Sequence, residues 1–364
     1  MMLEDKVAKA FFTLLRAGLW NKSIDTIDCF PLSKAEWDAL FRISVQQTVE
    51  GIVFDGIQML SLDSLPPREL HIKWLVRVEK IEQRNRWMNN ILAEQVAFFS
   101  KENIKPTLLK GQGLAICYEN PGRRVCGDID WYFRTIDEFY KADKLLAKYG
   151  IVTDATAGYS SFYFWRDCEI DHHQKLFDIH NPFLSGYLQH LQQQEKDLSI
   201  RINIQKEEVI LPSPLLQMLQ VNAHILKHLL SFGIGIRQLC DVARLYKTYY
   251  GQVDGNTLKA IYTKLKIIKW INLLHVVLVK YTGLPEEYLP FPTEINKSAD
   301  WMMEEIWKSG NFGFHDERYQ KESSGKREGT KRRLWSSFIK YVPYAPMEAL
   351  SFPLVHFYSG LVKK

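Results

Sequence analysis

Apolar residues in the first hundred positions recur at spacings of three and four, as in Phe11, Leu14, Leu15 and again in Trp37, Leu40, Phe41. That is the period of helices that bury one face. Pro66-Pro67 opens a further helix, expected to run to about Lys101, because proline fits a first turn, where its missing N–H has no partner to lose. Beyond residue 103 the period changes. Short apolar runs at 107–109, 129–133, 161–165, 168–173 and 200–204 alternate with helical stretches such as 136–149, the pattern of an α+β sheet. Helical spacing returns after Pro212-Ser213-Pro214, through 215–230, 236–250, 258–266, 268–282 and 295–308. The chain thus divides into an N-terminal helical module (1–102), an α+β core (103–211), a C-terminal helical module (212–310) and a final segment (311–364). In that segment a polar, glycine-bearing stretch ending at Thr330 reads as a mobile linker. The aromatic tail after it is expected to pack back on the body rather than lie on a membrane. No internal repeat is visible.

With 364 residues, 46% of them hydrophobic and 24% charged, the chain is long enough for one large core or several small ones, so pervasive disorder is excluded. The net charge of +5 is local: residues 318–333 hold seven basic residues, including Arg318 and Arg333, against Glu322 and Glu328. Such a cluster is a candidate for weak contact with phosphate or an anionic membrane, although its default is a solvated loop. Broad DNA or RNA binding is not indicated. Cys29, Cys117, Cys126, Cys168 and Cys240 form no C-x-x-C pair, which suits a reducing cytoplasm better than a disulfide framework. The start of the chain does not read as a signal peptide. The most apolar window, 267–284, is interrupted by Lys269, Asn272 and Lys280 and falls short of the roughly 20 apolar residues needed to span a bilayer.

Candidate chemistry gathers in the core. Lys110-Gly111-Gln112-Gly113 follows a short strand and leads into a helix expected over 114–118; glycine there admits a phosphate to the backbone, and the helix start supplies free N–H groups. Asp128-Ile129-Asp130 follows in a strand, where alternate side chains share a face. With 19 aspartates in the chain, about one such pair arises by chance, so the pair gains weight only from its company. That company is Glu169-Ile170-Asp171-His172-His173, where Asp171 and His173 fall on one face of another expected strand, and Arg123-Arg124 just before the aspartates. Three carboxylates from two neighbouring strands offer hard oxygen ligands for divalent metal and hence for phosphoryl or nucleotidyl transfer.

The stretches LLKGQGLAICY, RRVCGDIDWYF and EIDHH resemble the nucleotidyltransferase superfamily with the DNA polymerase β-type fold, and within it the uncharacterised bacterial nucleotidyltransferases. The likeness covers roughly residues 101–250. It implies a polymerase β-like mixed sheet flanked by N- and C-terminal helical modules. By residue it implies nucleotide binding by Lys110, Gly111, Gln112 and Arg124, and metal binding and catalysis by Asp128, Asp130 and Asp171. Acceptor contacts are expected from His173, His224, His228, Arg237 and Asp241. Gln112 stands where the superfamily usually has glycine or serine, and its amide is expected to donate to phosphate. The implied cofactors are two Mg²⁺ ions, with Mn²⁺ as an alternative, and an NTP as co-substrate.

The expected reaction moves an NMP from Mg-NTP to an unknown acceptor hydroxyl and releases pyrophosphate. Two rivals remain at this level. The His172, His173, Asp178 and His180 cluster is of a kind that holds metal in a phosphohydrolase, and a catalytically silent interaction module would keep the carboxylates without using them. His224 and His228, four apart, share a helix face; Arg237 and Asp241 repeat that spacing, with an intrahelical ion pair as the alternative reading.

Overall fold

The apolar run at 129–133, with Asp130 inside it, forms a strand, and the structure places it at the centre of a seven-stranded sheet. The computed structural model describes residues 5–24, 28–156, 160–294, 298–314, 316, 318 and 326–362. Four helices come first: α1 (Lys6–Trp20), α2 (Lys34–Gln46), α3 (Glu50–Ile57) and the 33-residue α4 (Arg68–Ser100). The core then runs β1 (Thr107–Leu109), α5 (Gly111–Ala115), β2 (Ile129–Tyr132), α6 (Ile136–Lys148), β3 (Asp154–Thr156), β4 (Ser160–Trp165), β5 (Cys168–His173), α7 (Ser185–Gln194), β6 (Ile200–Ile204) and β7 (Glu207–Leu211). Helices α8 (Pro214–Leu230), α9 (Ile236–Thr248), α10 (Gly255–Lys264), α11 (Ile268–Val277), α12 (Asp300–Ser309), α13 (Lys326–Tyr341) and α14 (Pro346–Val362) complete it. The architecture is α+β, as expected.

The sheet order is β3-β4-β5-β2-β1-β7-β6. Among the described residues, β2 with β5 and β1 with β7 pair parallel and the other neighbours antiparallel. One face packs Trp131, Ile129, Ile170 and Tyr163 against Met88, Leu92 and Phe99 of α4 and Phe139 and Leu146 of α6. Those side chains interlock through polar contacts as well: fully buried Gln95 of α4 donates to the Tyr163 hydroxyl at 2.9 Å. Residues from the N- and C-terminal helices share a second core, which reaches Leu109, Leu114 and Tyr132. Because α4 contributes Trp74 to that core and Met88 to the other, one long helix fixes the helical body to the back of the sheet. Asn85 of α4 donates to the carbonyls of Gly122 and Arg124 at 2.7 and 2.8 Å, which sets the height at which the chain enters β2.

The tail packs on the body. Tyr341, Ala345, Ala349 and Phe352 are buried in the second core. A mobile linker as far as Thr330 is corrected in part, since α13 begins at Lys326; residues 315, 317 and 319–325, with Lys321 and Glu322, lie outside the described residues. Arg318 and Arg333 both approach the buried Asp316 carboxylate, at 2.8 and 3.5 Å, so these two cations are engaged by protein rather than offered to phosphate. Among the described residues no helix is long and apolar enough to cross a membrane.

Burial of histidine gives the fold a pH dependence. His275 is fully buried between Tyr246 and Phe291, neither ring nitrogen is hydrogen-bonded among the described residues, and burial pushes its pKa down to about 3. The unfolded chain, with histidine near its ordinary value of about 6.5, takes the proton first, so stability falls as pH drops below about 6.5. At pH 5 this group alone costs about 2 kcal/mol. In urea titrations at pH 7.5 and 5, His275→Phe is expected to lose less stability than the wild type on acidification. An identical loss in both would remove His275 from the account.

Candidate active site

The register of β2 and β5 builds the site. It pairs Asp130 with Asp171 and Tyr132 with His173, so alternation turns these four to one face and Trp131 and His172 to the other. Asp130, Asp171 and His173 consequently offer ligating atoms that all lie within 4.8 Å of one another. His173 Nε2 is 2.7 Å from Asp130 Oδ1. Asp130 itself is only 2% exposed.

Lys110 reaches the same oxygen from the neighbouring strand. Leu109, the last residue of β1, sits opposite Asp130, and the next two residues turn the chain with φ of 43° at Lys110 and 41° at Gly111. Positive φ costs a lysine on the order of 1–3 kcal/mol and persists only where surroundings enforce it. Here the turn brings Lys110 Nζ to 3.1 Å from Asp130 Oδ1. A Cβ on Gly111 would stand 3.4 Å from the Asp128 carbonyl, so the glycine turn lies directly against the start of the aspartate strand. The helix after it begins at Gly111 rather than at Leu114.

The charges respond to this crowding. Burial and neighbouring Asp130 push Asp171 up to about 7, and Asp130, with burial, also raises Asp128. Burial opposes the charge on Asp130, but Lys110 and His173 outweigh it and hold that carboxyl below the usual range. Burial likewise opposes the Lys110 ammonium, and Asp130, Asp178 and Asp128 outweigh it and raise its pKa. Two carboxylates and an imidazole with surplus negative charge fit a divalent cation; the oxygens suit Mg²⁺, and the imidazole also admits Mn²⁺. Asp128 is outside the 4.8 Å group.

Beyond the cluster, Asp178 receives His224 Nδ1 at 2.8 Å and Lys227 Nζ at 2.7 Å. Burial opposes the Asp178 charge, yet Lys227 and His224 hold its carboxyl well below the ordinary value. His224 is pushed down to about 4 by burial and then by Lys110, so it is a neutral donor at pH 7. The His228 ring lies 4.4 Å from that of His224, and burial keeps it neutral too. The sequence reading missed Lys227 and the role of Asp178. Three basic side chains at 224, 227 and 228 share one helix face, and that was the available signal that an acid must face them.

Residues 33–280, more than half of the chain, match the family described as uncharacterised nucleotidyltransferase. The chain belongs to that family. Curated proteins give no match. A crystal structure of an antigenic nucleotidyltransferase-like protein from Paracoccidioides brasiliensis is similar at 15% identity, covering 48% of this chain and 87% of that one, with a TM-score of 0.31.

For this nucleotidyltransferase-family chain, the other expected site residues fall in three places. Gln112 is 4% exposed and points its amide Nε2 at Met88 Sδ, 3.4 Å away, so its side chain is turned into the core and not toward a phosphate. Arg124, expected to bind nucleotide, is held in a buried ion pair: Nε and Nη2 each lie 2.7 Å from an Asp241 oxygen, and the Tyr118 hydroxyl donates to Asp241 at 2.6 Å. Burial opposes the Asp241 charge, but Arg124 wins and lowers its pKa. Asp241 therefore pairs across to the core and not with Arg237 along the helix. Arg237 donates to the Val125 carbonyl and lies within electrostatic reach of Asp128.

The phosphohydrolase cluster is dispersed. His172 is on the opposite face from His173, bonded to Asp143 at 2.9 Å and Tyr163 at 3.1 Å. His180 lies against Glu348 at 3.3 Å, and Asp178 belongs to His224 and Lys227. Adjacent strand residues point opposite ways, which is why EIDHH cannot deliver both histidines to one metal.

Proposed function

We propose that this family member is a metal-dependent nucleotidyltransferase that moves an NMP from an NTP to an acceptor hydroxyl with release of pyrophosphate. The observation that carries the reading is the convergence of Asp130, Asp171 and His173 within ligating distance beside a glycine turn and Lys110. Asp130, Asp171 and His173 would hold one divalent cation, and Asp128, beside the turn, would serve a second. Such ions supply phosphate charge neutralisation and activation of the acceptor oxygen. The turn at Gly111 would admit the β- and γ-phosphates to the backbone, with the Lys110 ammonium at their side. In the transfer the acceptor oxygen bonds the α-phosphorus as the bond to the bridging oxygen breaks. Pyrophosphate takes the electron pair, and Asp171 would receive the hydroxyl proton. His224 and Lys227, by fixing Asp178, would keep the positive side of the site in position.

Incubation of the protein with α-³²P-labelled NTPs, Mg²⁺ or Mn²⁺ and cell extract tests the reaction, with label expected on an extract component in wild type and not in Asp130→Asn. Cation binding is tested separately. Mn²⁺ near 1 mM is expected to raise the melting temperature by several degrees, and Asp171→Asn to remove most of that rise. A silent interaction module would show no shift with metal or Mg-NTP.

A further inference from the structure

An open space adjoins the carboxylate cluster but not the glycine turn. A cavity of about 840 Å³ has Thr107, Tyr132 and His173 as its floor, the segment 174–182 along one side, and residues of α7 and α14 as walls. Its place along β2 is informative. Asp128 abuts Gly111, Asp130 sits opposite Leu109, and Tyr132 opposite Thr107. Each two-residue step advances about 6.6 Å along a strand. Reading along β2, the turn comes first, the carboxylates next and the cavity last. If triphosphate rests at the turn and the α-phosphorus at the carboxylates, the cavity lies where an acceptor approaches, on the side away from the leaving pyrophosphate.

We propose that this cavity is the acceptor site and that the acceptor is an anionic, hydroxyl-rich small molecule of the sugar-phosphate class. The inference rests on the nucleotidyl-transfer reading for the word acceptor, and on the cavity alone for the ligand's chemistry. The lining carries four cationic side chains, Arg134, Lys175, Lys196 and Lys227, against one carboxylate, Asp178. Lys227 and Asp178 neutralise each other at 2.7 Å, and the exposed Arg134 and Lys196 stand on the lining as cations. These two favour a ligand with a phosphate or carboxylate.

Hydroxyl recognition has its own groups. Gln174, Asn181, Gln189 and Gln192 line the space, and carboxamides both donate to and accept from hydroxyls. The Tyr132 hydroxyl donates to Gln192 Oε1 at 2.6 Å, which fixes that amide and leaves its NH₂ to donate. Size suits a small molecule: about 840 Å³ is within the range of small-molecule pockets, and α14 lies along one wall. Glu348 of α14 accepts from the backbone N–H groups of His180 and Asn181 at 2.8 and 3.2 Å, and Phe352 packs on the His180 ring at 5.0 Å. In the transfer, a hydroxyl oxygen of the bound molecule would bond the α-phosphorus as the bond from that phosphorus to the bridging oxygen breaks, pyrophosphate leaving with the electron pair and the hydroxyl proton passing to Asp171, while the molecule's own phosphate stays with Arg134 and Lys196.

The test is binding, read by saturation-transfer NMR and calorimetry on the full chain, with glucose 6-phosphate, ribose 5-phosphate and glycerol 3-phosphate set against glucose and glucosamine. At least one phosphate is expected to bind about tenfold or more tightly than glucose. The exposed-residue double variant Arg134→Ala/Lys196→Ala is expected to lose that advantage while keeping the wild-type melting temperature. Preference for glucosamine, no advantage of any phosphate over glucose, or an advantage untouched by the double variant each overturns the proposal. If binding behaves as expected but no NTP is consumed with any of the three phosphates, the ligand class stands and the transfer reading fails.

Discussion

Asp130→Asn is expected to lower nucleotide transfer by at least about 10³-fold, on the order of 4 kcal/mol of transition-state stabilisation, with little change in the far-ultraviolet circular dichroism. Asp130 is the residue on which the site turns: His173 and Lys110 both contact its Oδ1, at 2.7 and 3.1 Å, and Asp171 is its partner in register. Asparagine keeps the shape and an acceptor oxygen for Lys110 but removes the charge that a cation needs. Alanine is the harsher change, because it also strands the Lys110 ammonium without its nearest acid. Comparing the two separates chemistry from folding. If both variants lose activity only in proportion to lost melting temperature, Asp130 is a structural residue and the proposed catalytic role falls.

The second large effect is on stability. Arg124→Met is expected to cost about 3–5 kcal/mol, since it leaves the buried Asp241 carboxylate without its bidentate partner. Adding Asp241→Leu to it is expected to restore a substantial part of that loss, because removing both charges removes the desolvation penalty as well. Urea denaturation of the two single variants and the double variant measures the coupling. A phosphate-binding Arg124 behaves differently: its loss raises the KM for NTP at unchanged stability, and Asp241→Leu then gives no rescue. The pair ties the loop before β2 to α9, so its rupture is also expected to loosen the entry of the aspartate strand.

The parts of this picture legible from sequence are those governed by local periodicity. β1, β5 and β6 have the bounds expected of their apolar runs, and the alternation in EIDHH placed Asp171 and His173 together on one face, as the structure does. The hairpin partner β7 was not legible, because its turn uses Gln205 and Lys206, both at positive φ, where asparagine and glycine are the usual signal. Long-range pairing was also out of reach. Arg124 and Asp241 are 117 residues apart, and periodicity assigns each residue a face but never a partner. Gln112 went astray for a related reason: with the helix beginning at Gly111 instead of Leu114, its side chain meets α4 and not the phosphate side of the turn. The Asp178 clamp joins a helix face, which has a period, to a loop position, which has none.

The most direct measurement is a crystal grown with Mn²⁺ and a non-hydrolysable NTP, analysed by anomalous scattering. An anomalous peak bound by Asp130 and Asp171, with the β- and γ-phosphates against the Lys110-Gly111 turn, is the predicted result. Manganese and nucleotide bound elsewhere, with Lys110 still 3.1 Å from Asp130 Oδ1 and no metal between the two aspartates, would contradict the account.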